Sequence, residues 1–366
     1  MWVGRQVVTM SALSDRCDDF CRRFGLRVPI LLAPMAGACP PTLSIAVGEA
    51  GGMGGCGALP FSPPQMRAWA EAVRAASAAP FQINLWVPEP APSRNSEHEA
   101  RVRRFLAQWG PAVPESAGNE VPRDFRSQCD ELLSLRPAVA SSIMGVFPAD
   151  WVAALKRAGI AWYAVATTVK EAIQAEAAGA DVIVAQGMEA GGHRGSFENA
   201  AAEQAQVGLF ALLPQIVDAV HIPVVATGGI ADARGIAAAL LLGASAVQIG
   251  TAFLRCPEAQ LPKSWSDALA KARPEDTTLT RAFSGRAGRA LLTDYVRAAA
   301  APDAPPPAPY PVQRGLTAPM RQHAVVQDTV RTMQAWAGQA ASLARPEPAA
   351  QIIPHLWRQA QELLRV

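Results

Sequence analysis

A short apolar run, a glycine-bearing turn and a helix-like stretch recur in series along this chain, and that repetition constrains the fold more than any single motif. Residues 29–33 run into Pro34-Met35-Ala36-Gly37 and a helical pattern over 41–50, and residues 53–58 are followed by one over 63–78. Further strand-like runs occupy 81–87, 139–143, 160–166, 181–185, 222–227 and 246–249, with a helical pattern over 169–178 after the fifth run. Apolar runs this short, bounded by glycine and lacking polar alternation, are what a parallel sheet buried on both faces requires. Eight in series predict an α/β fold, a closed (β/α)8 TIM barrel with right-handed helical crossovers. The alternative is a doubly wound open sheet; such sheets usually have fewer strands, and the first turn here lacks G-x-G-x-x-G.

The pattern changes after Phe253. Residues 257–300 look helical and mixed in charge, residues 302–311 hold six prolines in ten positions, and 317–366 is helical again. The expected division is a barrel over 25–255, a smaller helical cap on the substrate side over 256–329, and a C-terminal helical segment over 330–366 that returns to the barrel. A Pro-rich stretch over 88–122, with one polar helix over about 96–109, is too long for an ordinary loop and is expected to run over the top of the barrel. Residues 1–24 are expected to be an irregular lead-in with a helix over 14–24, carrying no chemistry.

Composition narrows the partners. Net charge is +2, and the 33 basic residues are scattered, so neither nucleic acid nor an anionic membrane is expected as a partner. The six cysteines are dispersed without a C-x-x-C pair, which fits a reducing compartment and no structural zinc. No stretch of 18 uninterrupted apolar residues and no N-terminal apolar signal region is present, so the expected location is the cytoplasm.

Barrels of this kind gather their chemistry at the C-terminal ends of the strands. The sixth run ends in Gln186-Gly187-Met188-Glu189-Ala190-Gly191-Gly192-His193-Arg194-Gly195, with four glycines in nine residues framing one histidine. Glycine there permits positive φ and close approach to a ligand, at an entropic cost. A histidine in such a frame is suited to donate or accept a proton. The plainer alternative is a glycine-rich turn with an incidental surface histidine.

The other four histidines, His98, His221, His323 and His355, fall away from strand ends, and the four lysines lie in helices or the cap, which leaves no strand-end amine for an imine. No strand end collects a metal-ligand set, and Glu189 is the only acid beside His193. Thr227-Gly228-Gly229 and Gln248-Ile249-Gly250-Thr251, ending the last two runs, supply bare backbone N–H groups, hydroxyls and helix starts, as a phosphate site needs. A redox cofactor with a phosphate tail would supply the missing electrophile.

Taken together, Ala33-Pro34-Met35-Ala36-Gly37, Phe81-Gln82-Ile83-Asn84-Leu85, the Gln186 to Gly195 motif, Gly228-Gly229-Ile230 and Gln248-Ile249-Gly250-Thr251 resemble the FMN-dependent nitronate monooxygenases. The likeness continues through Ser284-Gly285-Arg286, Pro309-Tyr310-Pro311 and Trp336-Ala337-Gly338-Gln339, covering nearly the whole chain. It implies FMN as cofactor, with Ala33, Met35, Asn84, Gln186, Gly191 and Gly192 around the flavin. Gly228 and Gly229 with Gln248, Ile249, Gly250 and Thr251 would hold the phosphate, and His193 would face the substrate. A small aliphatic nitronate and O2 would be the reactants, in a monomer or homodimer. Flavin reductases that use NAD(P)H share the Glu-Ala-Gly-Gly-His motif and form the alternative. One departure is local: members often carry a glutamine in the first strand's terminal turn, where this chain has Leu32 and Pro34.

Overall fold

The computed structural model describes residues 10–365. Its strands are β1 Ile30–Leu32, β2 Gly54–Gly57, β3 Phe81–Trp86, β4 Val139–Ile143, β5 Ala161–Ala166, β6 Val182–Gln186, β7 Gly192–His193, β8 Val224–Thr227, β9 Ala246–Ile249, β10 Thr277–Thr280 and β11 Gly288–Leu291. Eight of them pair in parallel in the order β1-β9-β8-β6-β5-β4-β3-β2. The ring closes through a parallel bridge between Leu31 and Met53, where Leu32 N–H donates to Met53 O at 2.9 Å and Met53 N–H to Ile30 O at 3.1 Å. This closure makes the sheet a (β/α)8 barrel and rules out the open alternative.

β2 reads Gly-Gly-Cys-Gly, a poor strand by propensity, yet the glycines are what allow it to close on β1. A Cβ at Gly55 would sit 2.6 Å from Leu32 O, and one at Gly57 would sit 2.5 Å from Ala36 N.

Alternation along the strands divides the core in two. Ile30, Leu32, Ile83, Ile183, Val247 and Ile249 face outward and pack with the surrounding helices. Leu31, Met53, Val139, Tyr163, Val184 and Val225 fill the barrel interior together with Phe20 and Phe24. These two phenylalanines belong to the helix Met10–Phe24, which begins four residues earlier than expected. Their rings lie 6.3 and 5.2 Å from that of Tyr163, at the start of the strands, so the lead-in segment plugs the barrel floor. Residues 1–9 of that segment lie outside the described residues.

The helix ring is completed from far along the chain. The helix Ala349–Leu363 packs between Pro41–Glu49 and Ala233–Leu241, the place of the eighth barrel helix, although β9 ends at Ile249. The segment between is an insertion over the C-terminal end of the barrel. The helices Lys263–Lys271 and Asp294–Ala299 fall within the expected helical stretch, but the antiparallel pair β10 and β11 lies between them. Thr-Thr-Leu-Thr and Gly-Arg-Ala-Leu have little apolar alternation, and the second partner of β11 is distant in sequence. β11 pairs with β7, placing Gly288 opposite His193 and Arg289 opposite Gly192. The excursion helix Ser96–Leu106 joins this layer, Val102 and Leu106 packing with Phe283, Tyr295, Leu316 and Met320.

Candidate active site

A cavity of about 620 Å³ lies between the C-terminal strand ends and the inserted layer. Ala33, Met35, Asn84, Gln186, Gly191, Gly192, His193, Gly228, Gly229, Gln248, Gly250 and Thr251 all line it. Ile249 does not: Gln248 points inward, so the next side chain points out to the helices, where it is buried. Its carbonyl accepts the Ala33 N–H at 2.9 Å and ties the first and last strand ends together. Beside it, Gly250 brings the β9 turn against the β1 turn, where a Cβ would lie 3.2 Å from Ala33 Cβ and 3.3 Å from Met35 Sδ.

The glycine-rich loop after β6 is built around its own side chains. Gln186 Nε2 donates to His193 O at 3.1 Å, and Gln186 Oε1 accepts the Gly195 N–H at 2.8 Å. Arg194, almost fully buried, donates to Gln186 O at 2.7 Å. The Gln186 amide is therefore committed to shaping the loop. Glu189 is turned away from His193: its carboxylate oxygens accept the Leu209 N–H at 2.9 and 3.0 Å, at the start of the helix Leu209–Ala219. A carboxylate there complements the helix dipole, so the acid is structural. Gly191 lets residues 336–339 close over the loop, since a Cβ would come within 2.5 Å of Gly338 N. Gly338 N–H donates to Thr251 Oγ1 at 3.0 Å, and Gln339 N–H to Glu189 O at 2.9 Å.

His193 sits edge-on between two indoles, with ring centroids 4.7 Å from Trp86 and 4.8 Å from Trp336. Its Nε2 lies 2.7 Å from Ser284 Oγ. Arg286 N–H donates to that hydroxyl at 3.3 Å, and Arg286 O is an acceptor for it at the same distance. The hydroxyl can thus donate to an unprotonated Nε2, or accept from Nε2–H while turning its own proton to Arg286 O. It serves either tautomer. Burial pushes the imidazole from 6.5 down to about 3, and the positive charges of Arg286, Arg314 and Arg321 act in the same direction. The ring is neutral at ordinary pH.

Gly228 and Gly229 hold φ of +113° and +70°, which only glycine adopts freely. Thr227 Oγ1 donates to Gln248 O at 2.8 Å, coupling the two adjacent strand ends. The helix Ala233–Leu241 beyond them is already capped, Asp232 accepting the Arg234 and Gly235 N–H groups at 3.0 and 3.2 Å. An anion is therefore offered the Gly228–Gly229 turn and the Gly250–Thr251 turn, and not the first turn of that helix.

The sequence reading assigned no role to Trp86, Ser284, Arg314 or Arg321, which all line the cavity. Trp86 was within reach of the argument, being two residues after Asn84 on the same strand and so on the same face. The other three come from the inserted layer, where no local periodicity marks a residue as facing the barrel mouth.

The family model described as nitronate monooxygenase matches residues 21–359. A nitronate monooxygenase from Pseudomonas aeruginosa is 40% identical, over 92% of this chain and 97% of the relative. One from Paraburkholderia phytofirmans is 38% identical, over 92% and 93%. Among solved structures, a nitroalkane oxidase from Streptomyces ansochromogenes superposes with a TM-score of 0.83 at 36% identity, over 93% of this chain and 98% of that one. FabK from Thermotoga maritima superposes at 0.72 with 27% identity, over 94% and 96%.

Proposed function

Because the chain belongs to the nitronate monooxygenase family, we propose that it binds FMN and oxidises small alkyl nitronates with O2, releasing nitrite and a carbonyl compound. The observation that carries this reading is His193, neutral and clasped by Trp86, Trp336 and Ser284 at the mouth of a glycine-lined barrel cavity.

The residues present fit a flavin nucleotide. The cavity, at about 620 Å³, lies within the range of ligand sites. Gly228, Gly229 and Gly250 line it with no side chain standing between the backbone and a ligand. Gly228, Gly229, Gly250 and Thr251 would hold the phosphate, with Asn84, Gln248 and Met35 lining the remainder. The chemistry FMN supplies when bound is electron transfer between nitronate and O2.

The chain's own contribution is orientation and charge. With Nε2 engaged by Ser284, the Nδ1 of a neutral His193 can donate its N–H to a nitronate oxygen in one tautomer, or in the other take the α-proton of a neutral nitroalkane. The rotatable Ser284 hydroxyl follows either state. The guanidinium groups near the ring favour an anionic substrate. The two indoles hold the half-buried imidazole edge-on at the cavity wall.

The test is oxygen uptake with propionate 3-nitronate, with nitrite measured alongside. Flavin-loaded protein that consumes no oxygen and yields no nitrite with any small nitronate would overturn the reading. The second reading, an NAD(P)H-dependent flavin reductase acting on a quinone or enoyl thioester, draws on the likeness to FabK and would then stand.

A further inference from the structure

Where the barrel closes, one strand carbonyl loses its ladder partner. Leu32 N–H donates to Met53 O and Met53 N–H to Ile30 O, and the next rung of a parallel ladder would bring the Gly55 N–H to Leu32 O. That N–H goes instead to Ser44 Oγ at 3.0 Å. Leu32 O is satisfied from two strands away: Gln82 of β3, fully buried, donates Nε2–H to it at 3.0 Å and to Gln248 Oε1 at 2.9 Å. The reach is open because Gln82 stands opposite Gly55 in the β2–β3 register, so no side chain of β2 lies in its way.

This contact settles which way two amides point. A carbonyl only accepts, so Gln82 must turn its nitrogen to Leu32 O, and its second N–H goes to Gln248. Gln248 therefore shows its oxygen to Gln82 and its nitrogen to the cavity that it lines. Gln248 Nε2 has no acceptor among the described residues, and it is not sealed from the cavity. Asn84 is turned the other way, its Nδ2 spent on Ser141 O and Oγ at 3.2 and 3.1 Å. The Gln186 amide shapes its own loop. The arrangement is not a cheap one, since Gln82 Oε1 is buried without a partner, an unmet acceptor that an apolar side chain of the same length would not bring.

We propose that Gln82 is a positioning residue for the cofactor: by fixing the Gln248 amide it aims a preorganised N–H at an acceptor atom of the bound flavin ring, and so favours the reduced, more electron-rich ring. A donor already oriented needs no rearrangement when charge develops on its acceptor, and hydrogen bonds to the ring are how a protein tunes this cofactor. The inference rests on the flavin reading given above and concerns the cofactor's electron affinity.

The experiment measures the midpoint potential of bound FMN by anaerobic equilibration with a reference dye, in wild type, Gln82→Met, Gln248→Met and the double variant, with flavin content determined on each. Gln82→Met is expected to keep its FMN while the ratio of reduced to oxidised flavin at a given potential falls about tenfold, equivalent to about 30 mV for two electrons. Gln248→Met should show at least the same fall, and adding Gln82→Met to it should change nothing further, as for two residues acting through one contact. If Gln82→Met does not fold, Gln82→Asn, one methylene too short to reach both Leu32 O and Gln248, is held to the same outcome. An unchanged potential in a flavin-loaded Gln82 variant would overturn the proposal. An equal shift with and without the Gln248 amide would do so too, leaving Gln82 as a part of the barrel closure alone. Wild type that takes up no flavin would sink the cofactor reading itself, and this inference with it.

Discussion

Ser284 Oγ stands 2.7 Å from His193 Nε2, joining the inserted layer to the barrel loop at one short contact. The His193 end is held by backbone pairing opposite Gly288 of β11, and Ser284 lies in the turn four residues before that glycine. His193→Ala is expected to keep fold and flavin while turnover falls by roughly 10²-fold or more, the range for a lost acid–base group. Ser284→Ala removes only the hydroxyl that orients the ring, so a loss of about 5-fold in kcat is expected. Steady-state oxygen uptake checks both. A His193→Ala chain that is insoluble would instead mark the histidine as structural.

The depressed imidazole gives a signed pH effect. The unfolded chain takes up a proton on this ring near the ordinary 6.5, and the folded chain only near 3. Between those values the unfolded state binds more protons, so stability rises with pH and is lost as pH falls through that interval. Urea unfolding should show the wild type losing more stability on acidification than His193→Gln does. The nitronate pH profile should carry no inflection near 6.5 that disappears in His193→Gln.

Neighbouring glycines are expected to differ. A Cβ at Gly191 would meet Gly338 N at 2.5 Å, whereas one at Gly192 would meet nothing within 4 Å and bear only the strain of φ +75°. Gly191→Ala should cost about 1–3 kcal/mol through overpacking and loosen residues 336–339. Gly192→Ala should cost about 1 kcal/mol. Denaturant unfolding of the two variants gives the comparison, and equal losses would contradict the packing at Gly191.

Denatured protein is expected to release FMN and not FAD, in a ratio near one per chain. Gly229→Ala should lower that ratio by distorting the turn: φ is +70° and the added Cβ would lie 3.2 Å from Glu189 Cβ. Flavin release followed by chromatography decides the matter.

Little use of NADH is expected. Under anaerobic conditions the flavin absorption of the loaded protein should persist when NADH is added, and rapid bleaching would favour the reductase reading.

Most barrel strands could be placed from sequence because each is a short apolar run between glycines, and Val139–Ile143 and Ala246–Ile249 emerge with the expected bounds. Asn84 and His193, which stand at strand ends in the sequence, both line the cavity. The side chain of Ile249 lies outside the cavity, as period-two alternation already implies once Gln248 faces in, which leaves only its backbone toward the strand end. Glu189 stood beside His193 in sequence, yet its carboxylate is drawn to the Leu209 N–H across 20 residues. β10 and β11 carry no apolar alternation that marks them as strands, and β11 gains its second partner only from β7, far upstream.

The late arrival of the helix Ala349–Leu363 has a consequence for the order in which this molecule is made. During synthesis the eight strands emerge well before the element that covers the gap between Pro41–Glu49 and Ala233–Leu241. Until then the outer faces of Leu43 and Leu240, fully buried in the finished protein, have no cover from Ile352, Ile353 and Leu356. The nascent barrel is therefore a sticky intermediate with an open seam, and the ribosome must deliver the whole inserted layer before the seam can be shut.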